Sequence, residues 1–250
     1  MTASVVEKQR RSFDRLVEEG VYSDDFDHPP AAKAFVAEVL SQVAARLPVG
    51  RPVSVLDCGC GTGAWLAFIA ATLDEAGIPA GRLCGFDLSG NMVEVARRRL
   101  AGLAAPEDLR SGNLLEASSY AFDGIGSGFD VIFTYDAIQQ LPRRQQFDTC
   151  ALMVSGLAPG GAALIFDNDS RSKFGRRMAR RKFLTRYLGL KLVPRYYCNA
   201  AYPPLERFRQ RLAADGWQAT VRVRQDQVKR ALIVERAGHE AAWSPSPGEA

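Results

Sequence analysis

The sequence predicts an α/β protein: a doubly wound, mostly parallel, seven-stranded sheet with helices on both faces. Three observations carry that reading. From Pro52 onward short apolar runs alternate with helix-length segments, the pattern of a parallel sheet covered on both sides. The run Val55, Leu56, Asp57, Cys58, Gly59, Cys60, Gly61, Thr62, Gly63 ends an apolar strand in a carboxylate and then places glycine at every second position. After a helix candidate, two further strand-like runs close the core.

Taken in order, residues 1–50 predict an N-terminal helical cap or lid. Phe13, Leu16 and Val17 form one apolar group, and Phe35, Val36, Val39, Leu40 and Val43 repeat at helical spacing. The link between them, Val21 to Pro30, is rich in turn formers. Strands are expected at 53–57, 82–86, 108–111, 129–134 and 162–167, and helices at 63–76, 90–101 and 143–157. The segments Gly77 to Pro79, Ala105 to Glu107 and Leu157 to Gly161 read as turns. A helix from Pro204 to Asp215 and an antiparallel edge pair, 217–224 and 231–235, complete a domain spanning 51–237. Residues 170–203 form an insertion, placed by the strand order over the carboxyl ends of the strands, and 238–250 read as a disordered tail.

Composition bounds the function. The 47% hydrophobic and 24% charged content is that of an ordinary soluble globular chain. No run approaches the length of a membrane span, and Met1 to Phe13 lacks the apolar centre of a secretory signal. Five cysteines, several in core or loop positions, predict reduced thiols and a cytoplasmic home, and no Cys or His set has metal-ligand spacing. Net charge is +4, but ten basic residues and no acidic one lie between Ser170 and Arg195. The remaining 22 basic and 28 acidic residues leave the rest of the chain at −6. The segment 170–195 therefore suits an anionic small-molecule acceptor, a carrier protein or an anionic membrane surface. Nucleic acid fits less well, because base-stacking modules are absent. On a helical wheel Phe174, Met178, Leu184 and Leu188 share one sector, and Arg177 and Arg181 interrupt it.

The glycine loop satisfies the dinucleotide-binding pattern through Gly59, Gly61 and Ala64, so a nicotinamide cofactor has to be weighed. Asp57 at the loop entrance opposes a pyrophosphate and favours a ligand carrying an ammonium group. Asp87, at the end of the second strand, suits ribose hydroxyls in either class.

With Gly112-Asn113-Leu114, Phe129 to Asp136 and Leu157 to Phe166 following in order, the chain resembles the class I S-adenosylmethionine-dependent methyltransferases, with their Rossmann-like fold. The resemblance covers about Val53 to Asp167 plus the final strand pair. It implies that Asp57, Gly59, Cys60 and Gly61 surround the methionine part of the cofactor. Asp87 would take the ribose, Leu88, Met92, Asn113 and Leu114 the adenine, and Tyr135 would face the reacting methyl. In many relatives with small acceptors a His stands where Gln140 stands here. The candidate proton acceptors are His28, Tyr135, Asp136 and Asp167, and the candidate substrate contacts are Tyr22, Asp136, Asp169, Tyr196 and Tyr197. The implied reaction is methyl transfer from S-adenosylmethionine, leaving S-adenosylhomocysteine, to O or N of an anionic or lipid-like metabolite. The alternatives are a catalytically silent cofactor-binding scaffold acting through its basic segment, or an RNA or lipid methyltransferase.

Overall fold

The computed structural model describes residues 3–47, 50–192 and 201–236. In chain order the elements are α1 (Ala3–Glu18), α2 (Pro30–Ala44), β1 (Val53–Cys58), α3 (Ala64–Glu75), β2 (Ala80–Asp87), α4 (Gly90–Arg99) and β3 (Leu109–Ser111). They continue as β4 (Phe129–Tyr135), α5 (Arg143–Ser155), β5 (Leu157–Asn168), α6 (Lys173–Leu188), α7 (Leu205–Ala214), β6 (Gln218–Val223) and β7 (Lys229–Glu235). The seven strands form one sheet in the order β3-β2-β1-β4-β5-β7-β6. All neighbours are parallel except β7, which runs antiparallel to both β5 and β6. Strand order reverses between β1 and β4, and the crevice outside the carboxyl ends at such a point is where open α/β sheets take ligands.

Side-chain alternation divides the core into two layers. Val53 and Val55 of β1, Val131 and Phe133 of β4, and Leu164 and Phe166 of β5 face α2, α3 and α4. Leu56 and Cys58, Ile132, and Ala163 and Ile165 face α5 and α7. Both faces of the central strands are therefore apolar, which is why they read in sequence as continuous runs. The expected boundary near residue 50 does not appear in the packing. Phe35, Val36, Val39, Leu40 and Val43 of α2 belong to the same cluster as the sheet, and Phe35 meets Phe166 edge-on with centroids 5.6 Å apart. Burying that face joins α2 to the core and leaves α1 and the following link as the outer cover.

The expected turn at 157–161 lies inside β5 as a bulge. Phe129 pairs with Leu157 but Val131 pairs with Ala162, so β5 gains three residues while β4 gains none. Gly161 is needed there, because a Cβ would sit 2.8 Å from the Phe129 carbonyl oxygen. Beneath the bulge a buried carboxylate ties β1 to β4. Asp130 accepts two hydrogen bonds from Arg51, at 2.9 and 2.6 Å, and further ones from the Ser54 N–H and hydroxyl at 2.8 and 3.0 Å. Burial alone would raise its pKa, but the Arg51 and Ser54 bonds outweigh that and hold it below the usual carboxylate value.

No helix among the described residues is long and apolar enough to cross a membrane. Cys58, Cys60, Cys84 and Cys150 are buried free thiols. Asp130→Ala should lower stability in urea unfolding by roughly 1–3 kcal/mol, since the Ser54 N–H loses its acceptor while the half-exposed Arg51 turns to water.

Candidate active site

The glycine loop after β1 is stitched to β2. The Gly59 and Cys60 N–H groups donate to the Phe86 carbonyl at 2.8 and 3.0 Å, and the Gly63 N–H donates to Cys60 at 2.9 Å. The Gly61 N–H donates to Asp87 Oδ2 at 3.0 Å. Gly59 adopts φ +81°, and a Cβ on it would lie 2.7 Å from the Ala137 Cβ; Gly63, at φ +74°, would bring one 2.9 Å from Leu100 Cδ1. Backbone conformation and close packing thus account for both glycines. The N–H groups of Gly59, Cys60 and Gly61 are thus consumed by β2.

Two carboxylates stand at the ends of β1 and β2. Asp87 accepts from Gly61 N and, through Oδ1, from Ser89 N at 2.9 Å. Ser89 caps α4 by accepting from Met92 N at 3.1 Å, and its hydroxyl donates to Asp14 of α1 at 2.6 Å. Asp57 is buried, and its Oδ2 has no hydrogen-bond partner. Among the described residues neither Asp57 nor Asp87 forms an ion pair. Burial, reinforced by Asp87, pushes Asp57 well above the usual carboxylate pKa, and burial also raises Asp87.

A cleft of about 520 Å³ opens over this loop. Its walls include Gly59, Cys60, Gly61, Asp87, Leu88, Met92, Asn113, Leu114 and Tyr135, together with Tyr22, His28 and Asp136. The structure therefore brings most of the expected contacts together. Asp57 stands behind the wall rather than on it. Asp167 and Asp169 are also absent from it, for identifiable reasons. The fully buried Asp167 accepts from the Gln139 N–H at 3.0 Å and the Asn168 N–H at 2.7 Å, which fixes the turn after β4. Asp169 accepts from Arg171 N at 2.6 Å, lies 3.2 Å from Arg230 Nε and receives the Ser172 hydroxyl on its carbonyl, so it anchors the start of α6. Tyr196 and Tyr197 lie outside the described residues. No residue between 170 and 192 lines the cleft; the expected basic cover is replaced by α1, through Val6, Gln9 and Phe13, and by the link to α2.

The far end of the cleft is aromatic and charged. His28 stacks on Trp65 at 4.1 Å and 15°, Tyr22 meets Phe26 at 4.7 Å, and Tyr135 lies 4.6 Å from Trp65. Burial lowers the His28 pKa to about 4 against the opposing charges of Asp27 and Asp136. Asp136 takes φ 58°, a conformation uncommon outside glycine. Its carboxylate receives Gln139 Nε2 at 2.8 Å and Lys229 Nζ at 2.5 Å. Lys229 is buried and lies over the Tyr135 ring at 4.4 Å. Burial works against its charge, but Asp136, Tyr135 and Asp167 together hold its pKa above the ordinary value. Arg224, paired with Asp226 at 2.5 Å, also lines the cleft.

Sequence reasoning passed over Lys229, Arg224, Trp65 and Gln139. Two signals existed: a lysine opening an otherwise apolar strand, and a tryptophan in the first turn after the glycine loop.

Residues 55–161 match the family model described as a methyltransferase domain. Over that segment the chain carries a methyltransferase domain. Solved methyltransferase structures share the fold. Magnesium protoporphyrin IX methyltransferase from Synechocystis, with bound SAM, has a TM-score of 0.59 at 14% identity, covering 93% of this chain and 97% of that one. An O-methyltransferase family protein from Burkholderia thailandensis has a TM-score of 0.57 at 19% identity, covering 84% of this chain and 57% of that one. A curated relative, trans-aconitate 2-methyltransferase from Methylobacterium nodulans, is 30% identical over 137 residues, or 55% of this chain. This chain spans 46% of that relative's length.

His28, packed on Trp65 of the matched segment, should leave a pH signature in stability. An unfolded histidine takes up its proton near pH 6.5 while the folded one resists until about pH 4, so the native state loses stability as pH falls across that window. Allowing for partial exposure, the loss is about 2 kcal/mol. His28→Phe, which keeps a ring against Trp65, should lack this component when urea unfolding is compared at pH 7 and pH 4.

Proposed function

We propose that this chain binds S-adenosylmethionine over the loop between β1 and α3 and transfers its methyl group to an oxygen or nitrogen of a small anionic acceptor. The observation that carries the reading is a pair of carboxylates, Asp57 buried and Asp87 partly buried, neither in an ion pair among the described residues, beside a loop whose Gly59, Cys60 and Gly61 N–H groups are already engaged. A pyrophosphate needs free N–H groups and suffers next to buried negative charge; a sulfonium with an ammonium group gains from it. The residues present fit that cofactor: Asp87 for the ribose hydroxyls, Leu88, Met92, Asn113 and Leu114 for the adenine, and Gly59 to Gly61, with Asp57 behind, for the charged amino-acid end.

When bound, the cofactor supplies an electrophilic methyl group. The protein's task is then alignment and exclusion of water, which contribute up to about 7–11 kcal/mol to a well-oriented reaction. The rings of Tyr22, Phe26, His28, Trp65 and Tyr135 give the reacting end an apolar wall. Lys229 and Arg224, though each already pairs with a carboxylate, place N–H donors at the acceptor end that an anionic acceptor can share, and the curated relative is named for trans-aconitate. His28 remains uncharged at neutral pH, so it is free to accept a proton where the acceptor has one to lose. Asp136 is held by Lys229 and Gln139 and orients the acceptor end.

Turnover of S-adenosylmethionine to S-adenosylhomocysteine against a panel of small carboxylic acids, phenols and amines tests the reading. Turnover is expected with an anionic member; tight binding with no turnover on any acceptor would instead support a cofactor-binding scaffold. Asp87→Ala should weaken S-adenosylmethionine binding at least about tenfold by calorimetry, through loss of charged hydrogen bonds to the sugar. Unchanged affinity would refute its assignment.

A further inference from the structure

Helix α6 carries a surface that the cleft does not use. Its N-terminus is fixed by Ser172, which accepts from Gly175 N at 2.8 Å, and Gly175 packs so tightly that a Cβ would overlap the Asp169 carbonyl. Met178 and Lys182 face inward, with the Lys182 ammonium 4.2 Å above the Tyr202 ring. The apolar sector expected from the helical wheel is thus partly the buried side. A different stripe faces solvent: Arg176, Arg180, Phe183 and Tyr187, spaced four, three and four residues apart.

That stripe combines two chemistries in order along the helix. Arginines come first; then Phe183 and Tyr187, 57% and 66% exposed, contact each other at 4.9 Å. Leu188 and, past the helix-ending Gly189, Leu190 extend the apolar end at 62% and 47% exposure. Beside the aromatic pair lies a hollow of about 230 Å³ with Arg143, Lys182 and Arg186 among its walls. No acidic residue occurs between Ser170 and Arg195. Exposed large apolar side chains clustered on one surface of a soluble fold mark a contact site.

We propose that α6 docks the protein on an anionic phospholipid surface, with Phe183, Tyr187 and Leu188 at headgroup depth and the arginines on lipid phosphates. Aromatic residues settle at the membrane–water boundary, and each basic residue near an anionic leaflet strengthens binding about fivefold. The hollow lined by Arg143, Lys182 and Arg186 offers cationic donors to a lipid headgroup. A nucleic acid would use the charge but gain little from Leu188 and Leu190, and an acidic carrier protein would likewise leave them in water. The surface is separate from the cleft and stands independently of the methyl-transfer reading.

Flotation of the full chain with vesicles of phosphatidylcholine alone, or of phosphatidylcholine with one third phosphatidylglycerol, tests it. The protein should float with the anionic vesicles only. Phe183→Ser with Tyr187→Ser, which leaves every charge in place, should weaken that binding about tenfold or more, and Arg176→Gln with Arg180→Gln by a similar factor. Thermal melting should be unchanged for both pairs, because all four side chains lie on the exposed face. Equal flotation with both vesicles, binding that survives the double serine variant, or displacement from anionic vesicles by a short single-stranded RNA would each overturn the proposal.

Discussion

Everything at this site depends on two carboxylates at the carboxyl ends of adjacent parallel strands, Asp57 buried and Asp87 partly so. Asp57 closes β1 and Asp87 closes β2, and the register that pairs Asp57 with Gly85 and Cys58 with Phe86 sets them near one another. The loop between β1 and α3 could have offered its N–H groups to an anion. Instead it turns those of Gly59, Cys60 and Gly61 onto Phe86 and Asp87, and among the described residues no cation pairs with either carboxylate. Burial raises both pKa values, Asp87 adding to the rise at Asp57 and Asp14 to that at Asp87, and a positive group beside them would offset that cost. A site built this way selects its ligand by charge before shape.

The fold was legible because the strands at its centre are buried on both faces. Val53 to Cys58 and Phe129 to Tyr135 are apolar runs bounded by turn residues, and nothing in a helix would require that pattern. The glycine loop was legible for a similar reason: alternate positive φ values leave few residue types possible. The reason for the glycines was less legible. Gly59 and Gly63 answer to Ala137 and Leu100, residues distant in sequence whose approach only the folded chain reveals.

The acceptor end was read less well, and topology explains why. Lys229 and Arg224 flank the turn between β6 and β7, and reach the cleft because β7 inserts antiparallel beside β5. Before that pairing is known they look like the polar link of an edge hairpin. Conversely, Asp167 and Asp169 sit where catalytic carboxylates often sit, at a strand's carboxyl end. Hydrogen bonds to Gln139, Asn168 and Arg171 consume them as braces for the turn after β4 and for α6. The basic segment was recognised by composition, and the sector that the helical wheel marked holds the buried Met178, whereas the exposed pair Phe183 and Tyr187 lies outside it. Charge is thereby segregated: a negative cofactor end under α1, and a positive outer helix away from the cleft.

The central claim is that Asp57 is a buried carboxylate whose pKa stands well above the usual value and falls when a cationic ligand arrives, and proton release on binding tests it most directly. Calorimetry of S-adenosylmethionine binding in buffers of different ionisation enthalpy measures that release. At pH below the raised Asp57 value, binding of a cation favours the ionised form, so protons should be expelled and affinity should climb as pH rises. Asp57→Asn should abolish both effects. Proton uptake, or a release that persists in Asp57→Asn, would contradict the account.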